Sequence, residues 1–226
     1  MTTAAQNRRI HALKRQIAGF ADDDYRGLLA RFGVSSSRLL DADHADRLIG
    51  VLERLAGGSS ASPRRASETV SGHYAGVLRA LWLSAWNLGV VDEKGDKALI
   101  AFIERQTKLS HTRFLVDADL AKKAIEGLKA WIAREAGLTW PTARQAHERN
   151  RTLNAMCKIA VIEAIAARLA PLDPAFDLAE QAYGFCDENK IGGFGIHGMA
   201  PPELDMFAAR IGARLRRRLA AKKAAA

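Results

Sequence analysis

Residues 35–55 read SSSRLLDADHADRLIGVLERL, and residues 110–132 read SHTRFLVDADLAKKAIEGLKAWI. In both stretches an arginine and two apolar residues precede the string Asp-Ala-Asp, with one extra residue, Val116, in the second copy. Apolar residues then recur every three or four positions, which is the spacing of one face of an α-helix. An aspartate before such a run can accept hydrogen bonds from the free N–H groups of the first turn. The two stretches therefore predict an internal repeat, with helices that begin after Asp41 and Asp117.

Helical spacing continues on both sides of the two copies. Two further amphipathic runs precede each copy, so we predict two tandem three-helix units at residues 1–56 and 73–137. The acidic cluster Asp22–Asp24 is interpreted as a helix N-cap, because consecutive acids lack the alternating spacing of a calcium loop. Trp82 and Trp86 are four residues apart, and we expect both to fill the core on one helix face.

The stretch between the two units, residues 57–72, reads GGSSASPRRASETVSG. Gly, Ser and Pro without apolar periodicity predict a flexible linker. Residues 138–226 are expected to form a helical C-terminal region, in which one helix has Pro141 in its first turn and ends before Pro171. Its wide apolar stripe predicts burial in the core, and a homodimer contact is the alternative.

The net charge of +9 belongs to the two ends of the 226-residue chain. Residues 210–226 carry seven basic side chains and no acidic one, and four basic residues precede Asp22. Leu204, Phe207, Ile211, Leu215 and Leu219 give the last helix one apolar face. The chain therefore ends in a basic amphipathic helix that can dock on the body and hold arginines toward a polyanion, unless it is only a solvated tail.

Several classes of site are not predicted by the sequence. Cys157 and Cys186 form no CxxC pair, so we expect neither a disulfide scaffold nor a zinc site. The glycines of the GxGxxG spacing at residues 193–198 follow no strand, which argues against a dinucleotide site. The six histidines form no HExxH pattern and no GxSxG elbow exists, so we expect no catalytic residues, metal or cofactor. The sequence contains no run of eighteen apolar residues, so it predicts no membrane span. We expect a cytoplasmic protein.

The order of segments carries a family resemblance. RRIHALKRQ, DDDYRGLLARFGVSSSRLL, LRALWLSAWNLGVV and TRFLVDADLAKKAIEGLKAWI follow one another between about residues 8 and 132. Together they resemble the GemA family of regulatory proteins from Mu-like phages and prophages. The resemblance implies an early phage protein that acts in the bacterial host cell, where it modulates host gene expression and DNA topology. The resemblance supplies no catalytic residues.

Two classes of function follow from the residues and the resemblance. The first is a non-enzymatic regulatory protein, nucleoid-associated in the host, whose basic side chains contact DNA phosphates. The second is a protein-interaction module that binds a host factor, with a tail that aids solubility or recruitment. A membrane partner is not expected, because the apolar stripe of the last helix lacks Trp.

The DNA hypothesis rests on basic residues at both ends and on two arginines, Arg38 and Arg113, in equivalent places of the repeat. The alternative for this pair is that each covers its own helix end. The candidate DNA-binding residues are Arg210, Arg214, Arg216, Arg217, Arg218, Lys222, Lys223, Arg8, Arg9, Lys14, Arg15, Arg38 and Arg113.

Overall fold

The computed structural model describes residues 2–17, 19–57, 69–192 and 195–225. These residues form ten α-helices and no β-strand, which confirms the all-α prediction. The helices are α1 (Ala4–Gln16), α2 (Asp22–Ala30), α3 (Ala42–Gly57), α4 (Ala75–Asn87), α5 (Asp96–Thr107), α6 (Ala118–Ala136), α7 (Ala143–Glu148), α8 (Leu153–Leu169), α9 (Leu178–Glu188) and α10 (Pro201–Ala224). Short 3₁₀ turns at Ser37–Leu39 and Thr112–Phe114 precede α3 and α6.

The chain divides into two compact units. Residues 1–80 and 94–127 form unit 1, and residues 81–93 and 128–226 form unit 2. The boundary falls within α4 and α6, so each of these helices contributes residues to both units. The two tandem three-helix units at residues 1–56 and 73–137 remain a prediction from the internal repeat. Residues 58–68 of the predicted linker lie outside the described residues.

The two stretches of the repeat have the same local structure. Each forms a 3₁₀ turn and then an α-helix whose first N–H groups are capped by the predicted aspartate. Asp41 Oδ1 accepts from the backbone N–H of His44 at 2.7 Å. Asp117 Oδ1 accepts from Asp119 and Leu120 at 2.9 and 3.0 Å. Both predicted caps are confirmed.

In unit 1, helix α1 packs against α3. The residues buried between the helices have the predicted spacing: Ile10, Leu13, Ala45, Leu48 and Leu52. Polar contacts fix the register of the pair. The hydroxyl of Thr2 donates to the carbonyl of Ser37 at 2.6 Å, and the amide of Gln6 donates to Asp46 Oδ1 at 2.7 Å. Thr2 and Gln6 are therefore held against the first 3₁₀ turn and the start of α3.

The acidic cluster Asp22–Asp24 begins α2, as predicted, but it lies inside the first turn of the helix. The predicted N-cap is wrong, because Ala21 is the N-cap residue and none of the described side chains caps the first-turn N–H groups. Asp24 makes contacts of another kind. Asp24 Oδ2 accepts from the backbone N–H of Ala21 at 2.9 Å. The Asp24 side chain is fully buried and also accepts from the backbone N–H and the hydroxyl of Ser110, the latter at 2.8 Å. A buried carboxylate is stable only when such donors satisfy it. Asp24 thus joins α2 to the segment that begins the second copy.

In unit 2, helix α8 packs along α10. The apolar stripe of α8 is buried, as predicted, except at its first residue, Leu153, which is 43% exposed. Its buried residues include Met156, Ile159, Ile162, Ile165 and Leu169.

The single helix predicted between Pro141 and Pro171 is wrong. The structure has a short α7, capped by Thr142, and then α8, capped by Thr152. Asn150 lies between the two helices with φ of 49°, in the left-handed region, which ends helical hydrogen bonding.

Candidate nucleic-acid interface

The final helix, α10, docks through the apolar face that its sequence predicts. Leu204, Phe207, Ile211 and Leu215 are at most 2% exposed, while Leu219 is half-buried. The rings of Phe207 and Phe185 lie 5.2 Å apart, which anchors α10 to α9. Because this face is committed to the core, the basic residues after Leu204 must occupy the remaining faces of the helix.

Two of these arginines share one buried carboxylate. The Arg214 Nε donates to Asp173 Oδ2 at 2.7 Å, and Arg218 donates to both carboxylate oxygens at 3.0 and 3.1 Å. The Asp173 side chain is 3% exposed, whereas those of Arg214 and Arg218 are 30% and 50% exposed. The hydrogen bonds from Arg214 and then Arg218 lower the pKa of Asp173 to about 2. Asp173 therefore holds two guanidinium groups in place at the surface.

Arg217 completes a group of three. Arg214, Arg217 and Arg218 line a surface cavity of about 350 Å³ together with Ala221, and we call these three residues the arginine cluster. Arg217 is exposed, and its Nε donates to the carbonyl of Ala213 on its own helix at 3.4 Å. Three guanidinium groups against one carboxylate leave an excess of positive charge at this cavity. Such an arrangement can bind an oxyanion, because guanidinium groups offer paired N–H donors to phosphate or carboxylate oxygens.

The other basic residues of α10 do not join this cluster. Arg210 forms a two-bond ion pair with Glu188, and its hydrogen bonds lower the pKa of that carboxyl. Lys222 is exposed, and Lys223 Nζ lies 3.9 Å from an oxygen of Asp92.

Arg216 points to a different side of α10. Its guanidinium lies 4.2 Å from the centroid of the Trp86 ring and donates to the carbonyl of Trp86 at 3.2 Å. The expectation that Trp86 is a core residue is wrong, because the ring is only half-buried and Arg216 covers one face. Trp82 is 4% exposed, as expected of a core residue.

The basic residues of α1 fall into two pairs. Arg9 forms an ion pair with Glu53 at 2.9 Å, and Lys14 forms one with Asp22. Arg8 and Arg15 are exposed and form no ion pair with any of the described residues. They are seven residues apart and therefore lie on the same face of α1. Only this second pair leaves its charge fully available to a ligand.

Arg38 and Arg113 occupy matching places in the two 3₁₀ turns but differ in burial. The backbone N–H of Arg38 donates to the Ser36 hydroxyl, and that of Arg113 donates to Nδ1 of His111 at 3.0 Å. Arg38 is exposed. The guanidinium of Arg113 is half-buried 4.7 Å from the centroid of Phe114, and this burial lowers its pKa.

Asp41 and Asp117, the nearby helix-start carboxylates that could neutralise Arg38 and Arg113 if these arginines covered their own helix ends, have other partners. Asp41 pairs with Nδ1 of His44, and Asp117 pairs with Arg31. The exposed Arg38 thus remains a candidate for phosphate contact, while the burial of Arg113 limits what a ligand can reach.

The structure adds one residue that the sequence did not predict, Asp173. It lies in the segment Pro171–Pro174 between α8 and α9, where an aspartate is an ordinary turn residue. Its partners are 41 and 45 residues away in the chain. No local pattern could have indicated that it orients Arg214 and Arg218.

The described ranges contain neither a metal-binding cluster nor a membrane-spanning helix. No group of three His, Cys, Asp or Glu side chains there could hold a metal ion. No helix among these residues is both long and apolar enough to cross a membrane. Of the GxGxxG glycines, Gly193 lies outside the described residues.

Comparison with protein families gives one match. The family model described as the GemA protein of bacteriophage Mu matches residues 20–134, which is just over half of the chain. The matched range includes Arg38 and Arg113 and excludes both basic ends. No curated protein and no solved structure matches the chain.

Proposed function

This chain belongs to the GemA family and is a protein of the Mu-like phage type, and from that premise we propose that it is a regulatory protein that binds DNA. It binds the phosphate backbone of DNA and catalyses no reaction. Through this binding it modulates host gene expression or DNA topology. In the host it is cytoplasmic and nucleoid-associated.

The arginine cluster is the observation that carries this proposal. Arg214 and Arg218 are held by Asp173, so they lose little side-chain freedom when a phosphate binds. Arg217 adds a third guanidinium at the same cavity, with its charge uncompensated by any acid among the described residues. Phosphate contacts of this kind position a protein on DNA without reading its sequence. We therefore expect little preference between unrelated duplexes.

Other basic residues contribute additional contacts. Lys222 is exposed next to the cluster, and Arg8, Arg15 and Arg38 are exposed in unit 1. Arg9, Lys14, Arg210 and Lys223 already face carboxylates, so a phosphate must compete with those pairs. We expect these four to add less to affinity than Arg217.

A host protein is the second candidate partner. Some large apolar side chains are exposed, notably Leu39 at 64%, Met206 at 54% and Tyr183 at 52%. Such side chains favour a protein contact when they cluster, although single exposed apolar residues are normal. A homodimer is not needed to bury the α8 stripe, which is already covered within unit 2.

The test is a pair of single substitutions, measured by fluorescence anisotropy on two unrelated duplexes. Arg217→Gln removes a cluster guanidinium that supports no buried partner, whereas Arg214 and Arg218 also hold Asp173. Arg144→Gln is the matched control, since Arg144 is 88% exposed on α7 of the same unit. We expect Arg217→Gln to weaken binding to both duplexes equally. The slope of the logarithm of affinity against the logarithm of salt concentration should become less steep by about 0.9. Equal affinity and slope for Arg217→Gln and Arg144→Gln would refute the role of the cluster.

A further inference from the structure

A second cavity lies in unit 2 on another face of α10. It has a volume of about 310 Å³ and is bounded by the end of α4 and the turn after it, by α8, and by the last turns of α10. Its apolar wall is formed by Trp86, Val91 and Leu219, and its cations are Arg168, Arg216 and Lys223. We call it the Trp86 groove.

The two arginines of the Trp86 groove have only neutral partners. Arg216 donates to the carbonyl of Trp86 and to Oδ1 of Asn87, at 3.2 and 3.5 Å. Arg168 donates to the carbonyl of Glu135. Neither arginine forms an ion pair with any residue that the structure describes.

Arg216 is half-buried, and burial lowers the pKa of its guanidinium. A partly buried cation without a counter-charge is costly, and a bound anion would remove that cost.

Among the described residues that line the groove, Asp92 is the one acid, and it is too exposed to neutralise the groove. The Asp92 side chain is 94% exposed and lies 3.9 Å from Nζ of Lys223, whose side chain is 78% exposed. An exposed pair at this separation contributes little. Three cations and one carboxylate leave the groove with a formal charge of about +2.

We propose that the Trp86 groove binds a small phosphate monoester that carries a flat aromatic group. A phosphate monoester has a charge of about −1.5 to −2 at pH 7, which matches the groove. A carboxylate or a phosphodiester carries about −1 and would leave one cation unbalanced. The forks of Arg168 and Arg216 hold the phosphate oxygens, and the face of the aromatic ring lies against Val91 and Leu219. The volume is at the lower end of the range for small-ligand sites, about 300–1,000 Å³.

The same chemistry has two sources in a cell: a free nucleoside monophosphate and the phosphorylated 5′ end of a DNA strand. Both place a phosphate monoester beside an aromatic base. The Trp86 groove is separate from the arginine cluster, because none of the three cluster arginines lines it. Ligand binding in the groove therefore does not depend on binding of the DNA backbone at the cluster.

The experiment follows the indole N–H signal of Trp86 in the full chain by NMR, with the signal assigned from Trp86→Phe. Thymidine 5′-monophosphate is titrated to about 10 mM, above a millimolar Kd. Neutral thymidine and sodium chloride at matched ionic strength serve as controls. We expect a saturating shift with the nucleotide and none with either control. Absence of a saturating shift, or an equal shift with thymidine or chloride, would overturn the proposal.

Substitutions then test the assignment of residues. Arg216→Gln should weaken nucleotide binding at least about tenfold, because a charged hydrogen-bond donor is lost. Lys223→Gln affects only an exposed side chain, so folding is preserved, and we expect binding about threefold weaker. Arg144→Gln, at a residue that lines neither the Trp86 groove nor the cavity of the arginine cluster, should leave binding unchanged. Unaltered affinity in both Arg216→Gln and Lys223→Gln would place the nucleotide elsewhere and contradict the proposal.

A short oligonucleotide with and without a 5′-phosphate separates the two sources. If the phosphorylated oligonucleotide shifts the Trp86 signal at a lower concentration than the free nucleotide does, the ligand is a strand end. If the free nucleotide shifts the signal at the lower concentration, the ligand is a nucleotide. An equal shift from the unphosphorylated oligonucleotide would show phosphodiester binding and refute the choice of a monoester.

Discussion

Gly212 in α10 and Gly184 in α9 are both helical glycines of unit 2, and they should respond to alanine in opposite directions. A Cβ built on Gly212 lies 2.9 Å from both the Cβ and the carbonyl oxygen of Asn87 and 3.0 Å from its Cα. Two of these three atoms belong to the backbone, so no side-chain rotation can relieve the contact. A Cβ on Gly184 meets nothing within 4 Å.

The magnitudes follow from two opposing terms. Alanine in a helix interior is favoured over glycine by about 0.8–1.0 kcal/mol. Overpacking costs typically about 1–3 kcal/mol, and contacts with backbone place Gly212 in the upper part of that range. Gly212→Ala should therefore lower the free energy of unfolding by about 1–2 kcal/mol. Gly184→Ala should raise it by about 0.5–1 kcal/mol, since only the helix-propensity term applies.

Urea denaturation monitored by circular dichroism at 222 nm measures both variants, whose substitutions lie in the same unit. The denaturation midpoint should fall for Gly212→Ala and rise for Gly184→Ala. If Gly212→Ala were as stabilising as Gly184→Ala, the close approach of α10 to Asn87 would be refuted. The docking of the helix that carries the arginine cluster would then need a different account.

Three further predictions concern single polar residues. Since the folded-state pKa of Asp173 is lowered to about 2 from 3.8, its contribution to stability is present above pH 3.8 and is lost as the pH falls through about 2. Melting temperatures of the wild type and Asp173→Asn should converge over that window, and a constant gap would contradict the pairing. Burial, and next the charge of Arg113, lowers the pKa of His111 below 6.5, so stability is lost as the pH falls from 6.5 through the folded pKa. His111 caps the second 3₁₀ turn, as Ser36 caps the first. His111→Ser should therefore keep that cap and remove this pH dependence of the melting temperature. An unchanged pH profile would exclude His111 as its source. Asp117→Ala should reduce the free energy of unfolding by more than about 1 kcal/mol, because it removes the helix cap and also the ion pair with Arg31; an unchanged urea midpoint would contradict both contacts.

The helices of this protein could be predicted where local signals agree. Apolar spacing together with an aspartate cap located the starts of α3 and α6, because both signals act within one turn of the chain. The break between α7 and α8 was missed, since Arg149–Asn150–Arg151 contains neither Gly nor Pro and the apolar spacing continues beyond it. A left-handed Asn is a weak signal in sequence.

The candidate interface was predictable in composition and not in arrangement. The count of basic residues located the positive charge at the two ends, and the apolar stripe indicated which face of α10 docks. The sequence could not show that Arg216 turns toward Trp86 while Arg214 and Arg218 converge on Asp173. These contacts join residues 41 to 130 positions apart, and only the packing of the helices brings them together.

The salt dependence of duplex binding by the full chain tests the central claim most directly. If the chain binds the DNA backbone, the logarithm of the association constant falls linearly with the logarithm of salt concentration, by about 0.9 for each phosphate contact. The three arginines of the cluster alone predict a slope of about −2.7, and the additional contacts of Lys222, Arg8, Arg15 and Arg38 make the slope steeper. The slope should be equal for unrelated sequences. No measurable binding at about 50 mM salt, or binding that is independent of salt, would contradict the account and favour a host protein as the partner.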